Sequence, residues 1–124
     1  MTKIESFKDL IVYQKAYKLG MEIFEISKKF PKEEKFSLTD QLRRSSRSVT
    51  ANIAESWAKR RYEKSFIYKL SDSLGEEFET ESWLDYAHDC SYIDHPIHEH
   101  LLDEYKEVRK ILISIINNPD KWCA

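Results

Sequence analysis

Apolar residues recur along this chain at alternating intervals of three and four, the spacing that places them on one face of an α-helix. The first such stripe is unbroken, and Ser6 and Asp9 have the spacing of a capping box at its start. Pro31 cannot continue a helix, because its ring clashes with the preceding turn. The stripe consists of Val12, Ala16, Leu19, Ile23, Ile26 and Phe30. The pattern therefore predicts a first helix over about residues 7–30.

Three further segments show the same periodicity. The second, over about residues 38–60, combines a sparse apolar stripe with many small residues, which let a neighbouring helix approach closely. The third, over about 62–90, is separated from it by a reversal of charge, since one helix through both would be too long for a compact domain. The fourth, over about 95–117, begins at a capping Asp94 followed by Pro96 and ends at an Asn-Asn-Pro stop.

Four helices of similar length joined by short connections favour one arrangement. Short connections make successive helices antiparallel, so the sequence predicts an all-α protein, an antiparallel up-down-up-down four-helix bundle. Only 2 Gly and 3 Pro occur and 34% of residues are charged, which is typical of long solvated helices. The length of 124 residues predicts a single domain over 1–124.

Polar side chains interrupt the buried stripe of the third helix. Glu77 and Glu81 fall in the same sector as its leucines, and carboxylates in a core need partners. The arginine cluster of the second helix supplies the obvious partners, and Asn52 and Glu55 continue the polar line one turn apart. We interpret these residues as a polar spine that fixes register or assembly. The spine comprises Arg43, Arg44, Asn52, Glu55, Glu77 and Glu81.

The distribution of charge suggests a second role for the same helix. Residues 1–61 carry 14 Lys and Arg against 8 Asp and Glu, whereas residues 62–124 carry 6 against 14. The two halves can pair their opposite charges inside an antiparallel bundle, or the basic half can form an anion-binding face. A row of cations on one helix suits successive phosphates, although a solvated helix end explains the last three cations equally well. The candidate nucleic-acid-binding residues are Arg47, Lys59, Arg60 and Arg61.

Several chemistries lack the residues that they require. There is no glycine-rich phosphate loop and no Gly-x-Ser-x-Gly, and neither Cys has a plausible catalytic His nearby in sequence, so we expect no enzymatic activity. Glu-x-x-His, the mark of a di-iron bundle, is absent, so we expect no metal and no cofactor. The two cysteines lack disulfide or zinc spacing, and no apolar run approaches the roughly 18 residues of a membrane span. We therefore expect a cytoplasmic protein that does not contact a membrane.

Four short motifs carry a resemblance to a known family. They are Phe7-Lys8-Asp9-Leu10, Phe30-Pro31, Gln41-Leu42-Arg43-Arg44-Ser45 and Asn52-Ile53-Ala54-Glu55. The chain resembles the four-helix-bundle proteins encoded in intervening sequences of bacterial large-subunit ribosomal RNA genes, over essentially its whole length. It departs from the family at Ser56, where Gly is usual.

The resemblance implies an assembly and a class of partner. Characterised members of this family look like homopentamers that form rings. A related accessory protein of diversity-generating retroelements binds nucleic acid and associates with a reverse transcriptase. We therefore expect a non-enzymatic homo-oligomer, a pentamer by resemblance, that acts as a binding or scaffold protein. Its expected partner is RNA, a ribonucleoprotein or a reverse-transcriptase-like protein. The alternative is a purely structural assembly with no nucleic-acid ligand.

Overall fold

The computed structural model describes residues 3–123 and places four α-helices in an antiparallel bundle. The α-helices are α1 (Ile11–Ser27), α2 (Leu38–Ala58), α3 (Glu63–Asp89) and α4 (His95–Asn117). Three single turns of 3-10 helix accompany them, at Phe7–Asp9, Lys32–Glu34 and Pro119–Lys121. Each helix packs on the next in sequence, and α4 also contacts α1, which closes the bundle. The predicted all-α class and bundle architecture are confirmed.

The first helix is shorter than the sequence pattern predicts. The Ser6–Asp9 capping box is present, but it caps the 3-10 turn Phe7–Asp9 rather than a continuous helix. Leu10 follows with an extended backbone (φ −71°, ψ 128°), so α1 begins only at Ile11. At the other end α1 stops at Ser27, whose Oγ donates a hydrogen bond to the Phe24 carbonyl. The apolar stripe begins at Val12, after the first interruption, and its last member, Phe30, is buried beyond the second.

The other helices lie close to their predicted positions. α2 ends at Ala58, and the turn that follows is closed by the Tyr62 amide donating to the Lys59 carbonyl at 2.9 Å. At the start of α4 the Asp94 carboxylate accepts a hydrogen bond from the Ile97 amide at 2.9 Å, as expected of an N-cap. This cap satisfies one of the amides that have no partner within the helix.

The core consists of the predicted apolar stripes. Every member of the α4 stripe is almost completely buried, and it belongs to one core cluster with the buried residues of the other three helices. The buried members of the four stripes include Val12, Ala16, Leu19, Ile23, Leu42, Val49, Ile53, Leu70, Leu84, Leu101, Tyr105, Val108 and Leu112. The periodicity of the sequence therefore identifies the side of each helix that faces the interior.

Small hydroxyl residues join α2 to α3. The Ser73 hydroxyl donates to the Val49 carbonyl at 2.8 Å, and the Thr80 hydroxyl lies 2.9 Å from the Ser45 hydroxyl. All of these groups except the carbonyl belong to fully buried side chains. The small volume of these side chains lets the two helices approach closely, and their hydrogen bonds satisfy polar atoms that burial would otherwise leave unpaired.

Each α-helix between residues 3 and 123 is too polar or too short to span a lipid bilayer.

Candidate functional site

Arg44 connects α2 to α3 on the outside of the bundle. Its guanidinium lies 2.5 Å from a Glu79 carboxylate oxygen and 3.2 Å from Glu76, and its Nε donates to Gln41 at 3.0 Å. The hydrogen bond from Arg44 lowers the pKa of the Glu79 carboxyl, and the same contact raises the pKa of the Arg44 guanidinium. The sequence pattern predicts that an arginine of α2 pairs with Glu77 or Glu81, but the carboxylate partners of Arg44 are Glu76 and Glu79.

Glu81 pairs with a different helix. Its carboxylate accepts a hydrogen bond from Arg109 of α4 at 2.7 Å. The α2 arginines do not reach it because α3 presents its 76/79 side to α2 and its 77/81 side towards α4. The predicted polar spine is therefore not continuous: α3 makes one set of polar contacts with α2 and a separate one with α4.

Glu77 is a fully buried carboxyl group without a hydrogen-bond partner among the described residues. Burial raises its pKa to about 9, a neighbouring Glu81 adds to that rise, and Arg109 opposes it. Glu77 is therefore protonated and neutral near pH 7. The hydroxyl of Tyr105 on α4 is likewise buried and without a partner, and its pKa is raised by burial and by the nearby Glu77 carboxyl.

Asn52 and Glu55 do not extend a polar line through the interior. The Asn52 amide is half-buried and donates to the Ser48 carbonyl of its own helix at 2.9 Å. Glu55 is exposed and pairs with Lys69 of α3 at 2.7 Å, a contact that lowers the pKa of the Glu55 carboxyl. Both contacts are peripheral because these positions lie beside the α2 apolar stripe rather than within it.

Arg43 and Arg47 lie on the outer side of α2, one turn apart. The Arg43 Nε donates to the Ser27 hydroxyl at 2.8 Å, and its guanidinium lies 4.9 Å from the centre of the Phe24 ring. Arg47 lies over the same ring at 5.9 Å. Within residues 3–123 neither arginine has a carboxylate partner. Their outward donors are therefore available to a ligand.

A groove of about 610 Å³ runs along this side of α2, and we call it the α2 groove. Its lining is mainly basic and small, with one large aromatic, Phe36, whose side chain is 86% exposed. The Lys35 ammonium lies 5.3 Å from the centre of the Phe36 ring. The lining residues are Lys35, Phe36, Thr39, Asp40, Arg43, Arg44, Arg47, Ser48 and Ala51. Arg44 is paired with Glu76 and Glu79, which leaves three cations, Lys35, Arg43 and Arg47, against the Asp40 carboxylate and makes the groove electropositive.

The basic cluster at the end of α2 divides into two kinds of residue. Arg60 stacks on Trp57 with its guanidinium 3.4 Å from the ring centre, and its Nε donates to the Trp57 carbonyl at 2.9 Å. Lys59 and Arg61 are exposed. Arg60 is therefore held against the end of the helix, and Lys59 and Arg61 are the more exposed members of this cluster.

The fold brings together three histidines, His88, His95 and His98, that the sequence pattern does not identify as a cluster. Ligand atoms of His88, His95 and His98 all lie within 4.8 Å of one another, where α3 ends and α4 begins. The linear sequence hides this set because His88 belongs to the helix before the turn. A usable signal was the five-residue connection, which brings the last turn of one helix beside the first turn of the next.

Comparison with known proteins identifies a family and a solved structure that this chain resembles. The family model of the 23S rRNA-intervening sequence protein matches residues 8–114. A crystal structure from Bacteroides thetaiotaomicron, described as a protein with unknown function from the S23 ribosomal protein family, is 33% identical. The match covers 89% of this chain and 98% of that one, with a TM-score of 0.78. No curated protein matches the chain. The chain belongs to the 23S rRNA-intervening sequence protein family.

Proposed function

We propose that this protein is a non-enzymatic, homo-oligomeric helical scaffold that binds structured RNA through the α2 groove. The observation that carries the proposal is that one groove holds both the exposed ring of Phe36 and two arginines, Arg43 and Arg47, that have no carboxylate partner within residues 3–123. The proposed partner is RNA or a ribonucleoprotein, and the association of the family with ribosomal RNA genes supports that choice over a purely protein ligand.

The arginines supply the phosphate contacts in this proposal. Residues spaced i, i+4 on a helix lie about 6 Å apart, so Arg43 and Arg47 present two guanidinium groups along one line. A guanidinium offers donors in a planar fork that matches a phosphate. Arg43 is held in place by Ser27 and Phe24, which reduces the conformational entropy lost when a phosphate binds.

Phe36 adds an exposed aromatic ring to the phosphate-binding cations of the groove. An aromatic ring exposed beside cations is a stacking platform for an unpaired base, and such stacking contributes about 1–3 kcal/mol per base. The groove therefore fits a loop or junction of structured RNA, where unpaired bases and clustered phosphates occur together, better than it fits a continuous duplex.

The proposed homo-oligomer rests on apolar residues left exposed on the single chain. They include Tyr17 and Met21 on α1 and Phe78 and Tyr86 on α3, each about half exposed. Exposed aromatic and methionine side chains are enriched at protein interfaces. The pentamer and the reverse-transcriptase-like partner remain expectations from family resemblance.

The proposal is tested by fluorescence anisotropy with a labelled RNA hairpin at low salt. Arg47→Glu should weaken binding, since it reverses a charge inside the groove, and Lys106→Glu on α4 is the matched reversal outside it. A second candidate, an assembly protein with no nucleic-acid ligand, is favoured by the commitment of Arg44 to Glu76 and Glu79. That candidate predicts no binding to RNA by any of these proteins.

A further inference from the structure

Three histidine rings lie together at one end of the bundle, in residues that the α2 groove does not include. His88 is in the last turn of α3, His95 is the first residue of α4, and His98 follows one turn later. One ligand atom of each ring lies within 4.8 Å of those of the other two.

The turn that brings these rings together has a defined backbone. Ser91 adopts a left-handed conformation (φ 64°), and the amides of Tyr92 and Ile93 both donate to the Ala87 carbonyl, at 2.8 and 3.3 Å. The Ile93 side chain is buried in the core. Because the connection is tied to the end of α3 in this way, the positions of the histidine backbones are fixed before any ligand binds.

Each histidine already has a carboxylate at one ring nitrogen. His98 Nε2 lies 2.8 Å from Asp85 and His88 Nδ1 lies 3.0 Å from Asp89. His95 Nε2 lies 3.4 Å from Glu99. The other nitrogen of each ring has no hydrogen bond within residues 3–123. A carboxylate on one nitrogen, with the other left for an ion, is the arrangement usual for metal-ligating histidines.

Coordination requires a small rearrangement of the rings. The His88 and His98 rings are stacked at 4.3 Å with an interplanar angle of 17°, and parallel stacked rings do not direct their lone pairs at one point. Zinc–nitrogen bonds of about 2.0–2.1 Å place tetrahedral ligand atoms about 3.4 Å apart, so one ring must turn and the ligand atoms must approach by at most about 1.4 Å. The broad χ2 torsion of histidine permits this rotation at low cost.

We propose that His88, His95 and His98 bind one divalent transition-metal ion of the kind that prefers imidazole, represented by Zn²⁺. The ion joins the end of α3 to the start of α4. Three neutral nitrogen ligands suit Zn²⁺, Ni²⁺ or Cu²⁺ rather than Mg²⁺ or Ca²⁺, which prefer oxygen. The carboxylates of Asp85, Asp89 and Glu99 offset the charge of the dication.

The test is isothermal titration of the full chain, without a histidine tag, with ZnCl₂ at neutral pH. We expect one ion per chain with a micromolar or lower Kd, and His95→Ala should raise that Kd at least about tenfold because a ligand is lost. His95 is a safe site for substitution, since its side chain is 73% exposed. His100→Ala is the matched control, since His100 is an exposed histidine of the same helix outside the cluster, and it should leave the Kd unchanged.

Thermal stability and the pH dependence of binding test the zinc site in two further ways. Saturating Zn²⁺ should raise the Tm of the wild type and of His100→Ala, but not that of His95→Ala, since an ion bound only by the folded chain stabilises it. Lowering the pH should weaken binding, because protonated imidazole does not ligate. Absence of binding at high micromolar Zn²⁺, or an equal loss of affinity in His95→Ala and His100→Ala, would overturn the proposal.

Discussion

The guanidinium of Arg44 on α2 lies 2.5 Å from the carboxylate of Glu79 on α3, a contact between residues 35 positions apart. Glu76 shares the same guanidinium at 3.2 Å. We therefore expect Arg44→Ala to lower the free energy of unfolding by about 1 kcal/mol, a modest value because the pair is partly exposed and screened by solvent. Urea denaturation measures this change, and Arg47→Ala is the control, since Arg47 has no carboxylate partner in the described part of the chain. Equal stability of the two variants would show that the contact contributes nothing.

Glu77 makes stability depend on pH in an unusual direction. Its pKa in the folded chain is raised to about 9 from an ordinary value of 4.5. Between those values the folded chain keeps a proton that the unfolded chain releases, so this carboxyl lowers stability by about 1.4 kcal/mol for each unit of rising pH. Glu77→Gln keeps the neutral shape and should be more stable than wild type, by a margin that grows from about pH 5 to about pH 8.

Urea denaturation at several pH values measures that margin. Glu107→Gln, at an exposed carboxylate of α4, is the control and should show no growing difference from wild type. A margin for Glu77→Gln that stays constant with pH would mean that Glu77 is already ionised in the folded chain.

The sequence predicts the parts of this fold that depend on local periodicity. The α4 stripe of Leu101, Tyr105, Val108, Leu112 and Ile115 is buried throughout, because the three-and-four spacing determines which face of a helix is apolar. Its predicted limits of 95–117 are those of the structure.

The sequence does not determine which side chains of neighbouring helices contact each other. The choice between Glu76 and Glu77 as the partner of Arg44 depends on how α3 is rotated about its axis, which the packing of the whole bundle decides. The same limit explains the missed cluster of His88, His95 and His98, which exists only once a turn has joined two helices. The break at Leu10 precedes Val12, the first member of the apolar stripe, so the spacing of that stripe carries no information about it.

Phe36 provides a test of base stacking that is separate from charge. Replacing this exposed ring by Leu should weaken RNA binding by about 1–2 kcal/mol without changing the salt dependence, since stacking neutralises no phosphate. Anisotropy titrations at several salt concentrations measure both quantities. Because the ring is 86% exposed, the fold should be unaffected, which circular dichroism verifies. A reduced salt slope for Phe36→Leu would assign the loss to an electrostatic change instead.

The oligomer that we propose predicts a sedimentation result. A chain of 14.8 kDa should sediment at tens of micromolar as a species several times that mass, with five copies expected from the family resemblance. Tyr17→Glu, which places a charge on an exposed aromatic of α1, should shift the protein towards monomer if that face is the interface. A monomer at every concentration would contradict the assembly without affecting the RNA proposal.

RNA binding by the α2 groove is tested most sharply by measuring the affinity of the wild type, Arg47→Glu and Lys106→Glu for a looped RNA hairpin, side by side at about 50 mM salt. We expect micromolar or tighter binding by the wild type and by Lys106→Glu, and a loss of about tenfold or more for Arg47→Glu, with a salt slope reduced by about 1. Equal weakening by the two charge reversals, or no binding by the wild type, would contradict the assignment of the α2 groove to RNA.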